Sequence, residues 1–246
     1  MNILLSNDDG YMAEGINVLE RVLLEHNHNV WVSAPSSEQS AKSHSMTISG
    51  SLEMTEYGEK RFHLSGTPAD CIIYSHRSEL FPVEPDLVIA GINHGYNLSS
   101  DILFSGTCAA ARQATMYGMK AIAISCGKSN AESFVNAARF LASNLSLFCG
   151  AIPALSFMNI NVPDPFNGMY RLASVGNIVY PDQIEVISQD GNKRLVAIKD
   201  GAGNLEFHPS SSRFAPDYQV CREGFASVSL IKVLPEINEK AMLGLF

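Results

Sequence analysis

Residues 2–35, NILLSNDDGYMAEGINVLERVLLEHNHNVWVSAP, decide the fold. Ile3, Leu4 and Leu5 make a short continuous apolar run, the pattern of a strand covered on both faces. The period then changes. Ile16, Leu19, Val22 and Leu23 recur at helical spacing, which predicts an amphipathic helix over 14–26. NVWVSAP (29–35) reads as a second strand, stopped by Pro35. Strand, helix and strand in this order predict a β-α-β unit with parallel strands and a right-handed crossover.

The pattern continues outward from this unit. SSEQSAKSHSMT (36–47) is too polar for core, and 48–65 reads as short extended pieces broken by Gly50 and Gly58. SGTPADCIIYSH (65–76) is a loop entering a helix, with Pro68 in the first turn. DLVIAG (86–91) is a buried strand followed by a glycine- and asparagine-rich loop, INHGYNLSSDILFSG (92–106). TCAAARQATMYG (107–118) is a helix of small residues closed by Gly118. KAIAIS (120–125) is a strand, 130–147 a helix and ALSFMNI (154–160) a last core strand. This alternation predicts an α/β fold, a Rossmann-like doubly wound and mostly parallel sheet.

After NINVPDP (159–165) the chain becomes β-rich. Strand-like runs flank Asp190-Gly191 within 184–200, a hairpin signal, and FASVSLIKVL (225–234) alternates as a strand. The expected organisation is an α/β core over 1–163 and a β-rich C-terminal extension over 164–246. Both belong to one structural domain, with the extension serving as an arm or subunit contact.

Composition narrows the function. The 246 residues are 46% hydrophobic and 17% charged, ordinary for a globular enzyme able to bury a sizeable core. A net charge of -8 argues against a general nucleic-acid surface, so no duplex partner is expected. A small anionic ligand would need local positive charge, a helix dipole or a metal. Cys71, Cys108, Cys126, Cys149 and Cys221 are scattered without a C-x-x-C pair, which suits buried thiols in a reducing compartment. No apolar stretch approaches the roughly 20 residues of a membrane span, and the first apolar run lacks the basic flank of a signal peptide. A cytoplasmic protein with no membrane partner is expected.

Open α/β sheets bind ligands at the carboxyl ends of their strands, near the switch point of strand order. Four polar segments fall there: Asn7 to Gly10, the serine-rich loop, Gly91 to Asn97, and Ser105 to Thr107. Asp8 and Asp9 offer hard oxygens suited to Mg²⁺ or Mn²⁺. The same residues can instead form an Asx-turn, with Gly10 at positive φ. Ser105-Gly106-Thr107 at a helix start can present backbone N–H groups to a phosphate, or can simply cap the helix. Asn93 can ligate a metal and Asn97 can donate to a phosphate, or both can hold turns. His94 is either a proton donor or an idle loop histidine. CGKS (126–129) is not a P-loop, because the earlier glycine would fall at Ile122.

Together these segments resemble the SurE family of 5′/3′-nucleotidases. The resemblance is carried by ILLSNDDG, GI at 15–16, AP and QS within 34–40, GTPADC at 66–71 and PDLVIAGIN at 85–93. It continues through GYN at 95–97, SGTCAAA at 105–111 and NINVP at 159–163. It implies a metal-dependent phosphomonoesterase acting on nucleoside 5′-monophosphates, extending to 3′-monophosphates. One Mg²⁺ or Mn²⁺ per subunit would be held by Asp8, Asp9, Ser40 and Asn93. Phosphate would face Ser43, Asn97, Ser105, Gly106 and Thr107, with Asp8, Asp9 and Asn97 in catalytic roles. A homodimer or homotetramer is implied. The alternatives are a nucleotide-binding module without turnover and a phosphatase forming an aspartyl-phosphate. One departure stands out: Ala41 occupies a position where the family usually has glycine, so the loop is expected to reach positive φ less freely.

Overall fold

The computed structural model describes residues 1–78, 84–128, 130–199, 205–209 and 212–235. The first unit forms as its pattern requires: β1 (Asn2–Ser6), α1 (Glu14–Glu25) and β2 (Asn29–Pro35). Then come β3 (Met54–Gly58), β4 (Arg61–Leu64), α2 (Pro68–Arg77) and β5 (Leu87–His94). A 3-10 turn (Ser99–Leu103) leads to α3 (Gly106–Met116), β6 (Ala121–Cys126), α4 (Ala131–Ala151) and β7 (Ser156–Val162). The remainder is β8 (Tyr170–Leu172), β9 (Asn177–Val179), β10 (Gln183–Asp190), β11 (Lys193–Lys199), β12 (Glu206–His208), α5 (Asp217–Arg222) and β13 (Ala226–Lys232).

Nine of these strands make one sheet in the order β3-β4-β2-β1-β5-β6-β7-β13-β8. β1 pairs parallel with β2 on one side and β5 on the other, so strand order reverses at β1. β6 and β7 continue the parallel run. The alternation of side chains along β1 explains the double winding. Ile3 and Leu5 pack with residues of α1 and α4, whereas Leu4 packs with residues of α2 and α3. An uninterrupted apolar strand is therefore required, because both faces are covered. Ala109, Ala110, Ala111 and Ala114 of α3 are fully buried, and their small size lets the helix lie close to the sheet.

Three expectations need correction. ALSFMNI is not the last core strand: β7 is followed by β13, which pairs antiparallel with it, and β8 pairs parallel with β13. Ala226 and Val228 are buried in the same cluster as α1 and α4, so the tail supplies part of the main core. β5 does not stop at residue 91 but runs to His94, pairing Asn93 with Ser125 and His94 with Cys126. Its last residues are polar, which hides them from an apolar-run criterion. α4 runs to Ala151 rather than 147, because Phe148 and Cys149 continue its buried stripe.

The hairpin of β10 and β11 has a different character. Among the described strands, its two pair only with each other. Ile184, Val186, Ile187, Leu195, Val196 and Ile198 are all exposed. The end of the expected strand at residue 200, and residues 236–246 of the expected extension, lie outside the described residues. Among the described residues no helix is long and apolar enough to cross a membrane.

Candidate active site

The carboxyl end of β1 is a tight turn held by Asn7. Its Nδ2 donates to Gly10 O at 2.8 Å, and Gly10 has a φ of +98°. Asn7, rather than either acid, makes the side-chain bond that closes the turn. Asp8 and Asp9 are thereby left to face other partners.

Asp8 is 4% exposed and meets the start of α3. The Thr107 hydroxyl donates to Asp8 Oδ1. Gly106 permits this approach, because a Cβ there would lie 2.7 Å from Asp8 Cβ and 2.8 Å from Oδ2. Ser105 caps the helix, its Oγ accepting from Cys108 N–H at 3.0 Å. The three residues thus divide into a cap, a cleft and a hydroxyl donor. Burial pushes the Asp8 carboxyl up to about 6, the nearby Asp9 charge pushes in the same direction, and the Thr107 hydrogen bond opposes both.

Asp9 is raised by burial too, opposed by His94 and reinforced by Glu38. The His94 backbone N–H donates to Asp9 Oδ2 at 3.3 Å, and His94 Nδ1 lies 3.9 Å from Oδ1. This contact joins the ends of β1 and β5, the switch point of the sheet. Asn93 sits beside it, its Nδ2 donating to Gly95 O at 3.0 Å, which leaves its carbonyl oxygen as a candidate ligand. Glu38 is a third acid near the pair that sequence reading passed over, hidden in a stretch that reads only as polar loop.

The serine-rich loop is tied down at several points. Gln39 N–H donates to the Asp8 backbone carbonyl at 2.7 Å, so Ser40 directly follows the residue that ties the loop to the end of β1. Ser40 is exposed, and its hydroxyl donates to Glu38 Oε1 at 2.8 Å. The Ser43 hydroxyl donates to Leu103 O at 2.7 Å, which fixes the loop to the approach of α3. Thr47 donates to Asp70 from its backbone N–H at 2.8 Å and its hydroxyl at 2.9 Å. Ala41 adopts a φ of +56°, so the loop takes the left-handed conformation even without glycine. That conformation costs an alanine roughly 1 kcal/mol.

Asn97 is buried above β6 and β7. Its Nδ2 donates to Ser125 Oγ at 2.8 Å, and its backbone N–H donates to Asn161 Oδ1 at 2.8 Å. Its carbonyl accepts from Asn159 Nδ2 at 2.9 Å and Asn161 Nδ2 at 3.1 Å. The two asparagines of NINVP are therefore anchors for the Asn97 loop. The signal was legible as two Asn at i and i+2, on one face of an otherwise apolar strand.

The donor set fits a hard divalent cation. Asp8, Asp9, Asn93 and Ser40 offer oxygen only, the chemistry Mg²⁺ or Mn²⁺ prefers. Asn7 Oδ1 is buried without a hydrogen-bond partner, and such an orphan costs about 1–3 kcal/mol unless a ligand or water takes it up. Among the described residues no cluster of three or more His, Cys, Asp or Glu forms a soft or carboxylate-rich alternative.

Fold and site define an α/β protein of Rossmann-like winding, with an oxygen-lined acidic centre at the switch point of its sheet. The family model described as Survival protein SurE matches residues 3–181. The chain belongs to the SurE family. A relative from Gemmatimonas aurantiaca named 5′-nucleotidase SurE is 36% identical over 239 residues, covering 93% of this chain and 91% of its own. A relative of the same name from Anaeromyxobacter dehalogenans is 38% identical over 186 residues, covering 75% and 72%. The crystal structure of the SurE protein from Aquifex aeolicus matches with a TM-score of 0.82 at 28% identity, covering 100% of this chain and 98% of that one.

Proposed function

We propose that this chain is a metal-dependent 5′-nucleotidase, hydrolysing nucleoside 5′-monophosphates, and 3′-monophosphates as further substrates, to nucleoside and phosphate. The observation that carries this reading is that Asp9 meets the His94 backbone N–H and Asp8 meets Thr107, which brings the acid pair, the end of β5 and the α3 start together at the sheet's switch point. The names of its relatives support the same reading. One Mg²⁺ or Mn²⁺ per subunit, held by Asp8, Asp9, Ser40 and Asn93, would supply polarisation of a phosphoryl oxygen and a more acidic bound water.

The chain's own residues account for the rest. The N–H groups of Gly106 and Thr107 lie at the positive end of α3 and stabilise charge on the transferring phosphoryl oxygens. That of Ser105 is taken by Asp101 O at 3.1 Å, which leaves Ser105 its hydroxyl as the polar group it offers there. Asn97 keeps one Nδ2 hydrogen beyond its bond to Ser125 Oγ to offer a phosphoryl oxygen. Ser43, whose hydroxyl donates to Leu103 O, keeps its hydroxyl oxygen and loop beside the α3 approach. Asp8 Oδ2, the oxygen not bonded to Thr107, orients the attacking water. Five buried unpaired cysteines are in keeping with a cytoplasmic location, and the exposed β10–β11 hairpin with a homodimer or homotetramer built through that arm.

Phosphate release from nucleotides and sugar phosphates, with and without EDTA, tests the reading on wild type and Asp8→Asn. Release from nucleoside monophosphates that stops on chelation and in the variant is expected. Turnover that survives complete chelation would overturn the metal's role, and nucleotide binding without any release would make the chain a binding module. Solvent ¹⁸O entering phosphate in a single turnover, with no label on the enzyme, is the expected sign of direct attack by water. A phosphoryl group trapped on Asp8 would overturn that route.

A further inference from the structure

A second hollow opens at the carboxyl end of the sheet, about 320 Å³ in volume. Tyr96, Leu98, Pro163, Phe207, Tyr218 and Arg222 are among the residues that line it. Its walls come from the loop after β5, the turn after β7, β12 and α5. The rings of Phe207 and Tyr218 lie 4.7 Å apart at 45°, and the Arg222 guanidinium sits 5.8 Å from the Phe207 centroid. The Tyr96 hydroxyl is packed against Gly127, where an added Cβ would come within 2.2 Å of it. Leu98, Ile178 and Cys221 form a small buried cluster with these rings, separate from the two main cores.

The hydrolysis described above uses none of these side chains. Yet the hollow is close to it in the chain. Asn93 and Tyr96 are three residues apart, so their Cα atoms can be separated by at most about 11 Å. His94, between them, bonds Asp9 through its backbone. Tyr96 and Leu98, both lining the hollow, flank Asn97. The acid pair and the aromatic hollow are two ends of one short loop, a span matched by a nucleoside monophosphate.

We propose that this hollow is the nucleoside subsite, taking the base of the substrate while its phosphate reaches Asp8 and Asp9. This rests on the nucleotidase reading. The volume falls at the lower end of small-molecule sites, roughly 300–1,000 Å³. Aromatic faces stack on any base without reading its edge, and a guanidinium adds cation–π attraction. Asp164 and Arg222 at the rim provide the polar groups that meet a base edge or ribose hydroxyl. A site dominated by stacking discriminates weakly, so purine and pyrimidine nucleotides are both accepted.

The test compares wild type with Phe207→Ala, with Phe207→Trp as the conservative rescue and Arg222→Ala as a second change on the exposed rim. Three quantities are read: kcat and KM for AMP and UMP, inhibition by adenosine and uridine, and inhibition by inorganic phosphate. In Phe207→Ala, KM and the nucleoside inhibition constants rise about tenfold, the loss of one stacked ring. The phosphate inhibition constant and kcat stay within about twofold, the signature of lost uniform binding. Phe207→Trp restores both constants, and Arg222→Ala raises them by a smaller factor. Unchanged constants in Phe207→Ala, as expected if a second copy of the chain fills the hollow, would overturn the proposal. So would a parallel rise in the phosphate constant. Calorimetric titration with adenosine separates this from the reading beneath it. Phe207-dependent adenosine binding in a chain that releases no phosphate would sink the hydrolysis and leave the subsite. Hydrolysis with Phe207-independent adenosine binding would do the reverse.

Discussion

The turn after β1 and the hairpin of β10 and β11 both leave groups that their own local structure does not satisfy, but of opposite kinds. At the turn the surplus is polar: a buried acid, Asp8, next to a half-buried one, Asp9, and an unpartnered Asn7 Oδ1. On the hairpin it is apolar, with Ile184, Ile198 and their neighbours in the open on a two-stranded ribbon. A folded chain tolerates the first only where a polar ligand compensates, and the second only where another surface covers it. The turn is also rigidly supported, by Thr107, Gly106, Gln39 and His94. The hairpin pairs with nothing outside itself among the described strands. On the function proposed above, the first region holds a small charged ligand and the second meets another copy of the chain.

Substitutions can break each half of this comparison. Asp8→Asn is expected to cause the largest effect, a loss of about 100-fold or more in kcat/KM, because it removes a ligand charge and alters the water-facing oxygen. A melting temperature close to wild type would confine that loss to chemistry. Gly106→Ala comes next. Its methyl group would lie 2.7 Å from Asp8 Cβ, so the acid or the helix must shift. A loss of about 1–3 kcal/mol in denaturant unfolding is expected together with lower activity. Ala114→Gly, near the carboxyl end of the same helix and away from Asp8, would separate this effect from mere helix weakening: lost helix propensity and a lost buried methyl together cost about 2 kcal/mol, with activity kept.

The hairpin half predicts a change of assembly. Ile184→Lys with Ile198→Lys should reduce the mass seen by light scattering and remove any concentration dependence of the melting temperature. The effect on kcat/KM is smaller than at the turn. The smallest effect is at Ala41. Ala41→Gly relieves roughly 1 kcal/mol of left-handed strain but frees the unfolded chain by a similar amount, so stability should move by less than about 1 kcal/mol. A gain in kcat/KM would then report easier loop movement over the acids.

Much of this fold was legible because both faces of the central strands are covered. That makes β1, β6 and β7 read as apolar runs and α1 as a clean helical stripe. What escaped were places where one residue serves the site rather than the core. β5 carries polar Asn93 and His94 at its end, so its apolar run stops early. The role of β13 in the main sheet is a matter of long-range pairing, which local pattern does not record. At the candidate site, the acids, the α3 start and the serine-rich loop were all visible as motifs. Their division of labour was not: that Asn7 closes the turn, that Thr107 serves Asp8, and that Asn159 and Asn161 anchor Asn97 depend on distances no spacing contains. Ala41 shows the converse. The family's glycine suggested a positive φ there, and the alanine adopts it.

The central claim is that Asp8 and Asp9 tolerate each other because they hold a cation, and Mn²⁺ titration calorimetry tests it without reference to turnover. Wild type should bind one Mn²⁺ per chain, with Asp8→Asn and Asp9→Asn each weakening that affinity by at least about tenfold. Equal affinity in all three proteins, or no Mn²⁺ bound by wild type, would contradict it.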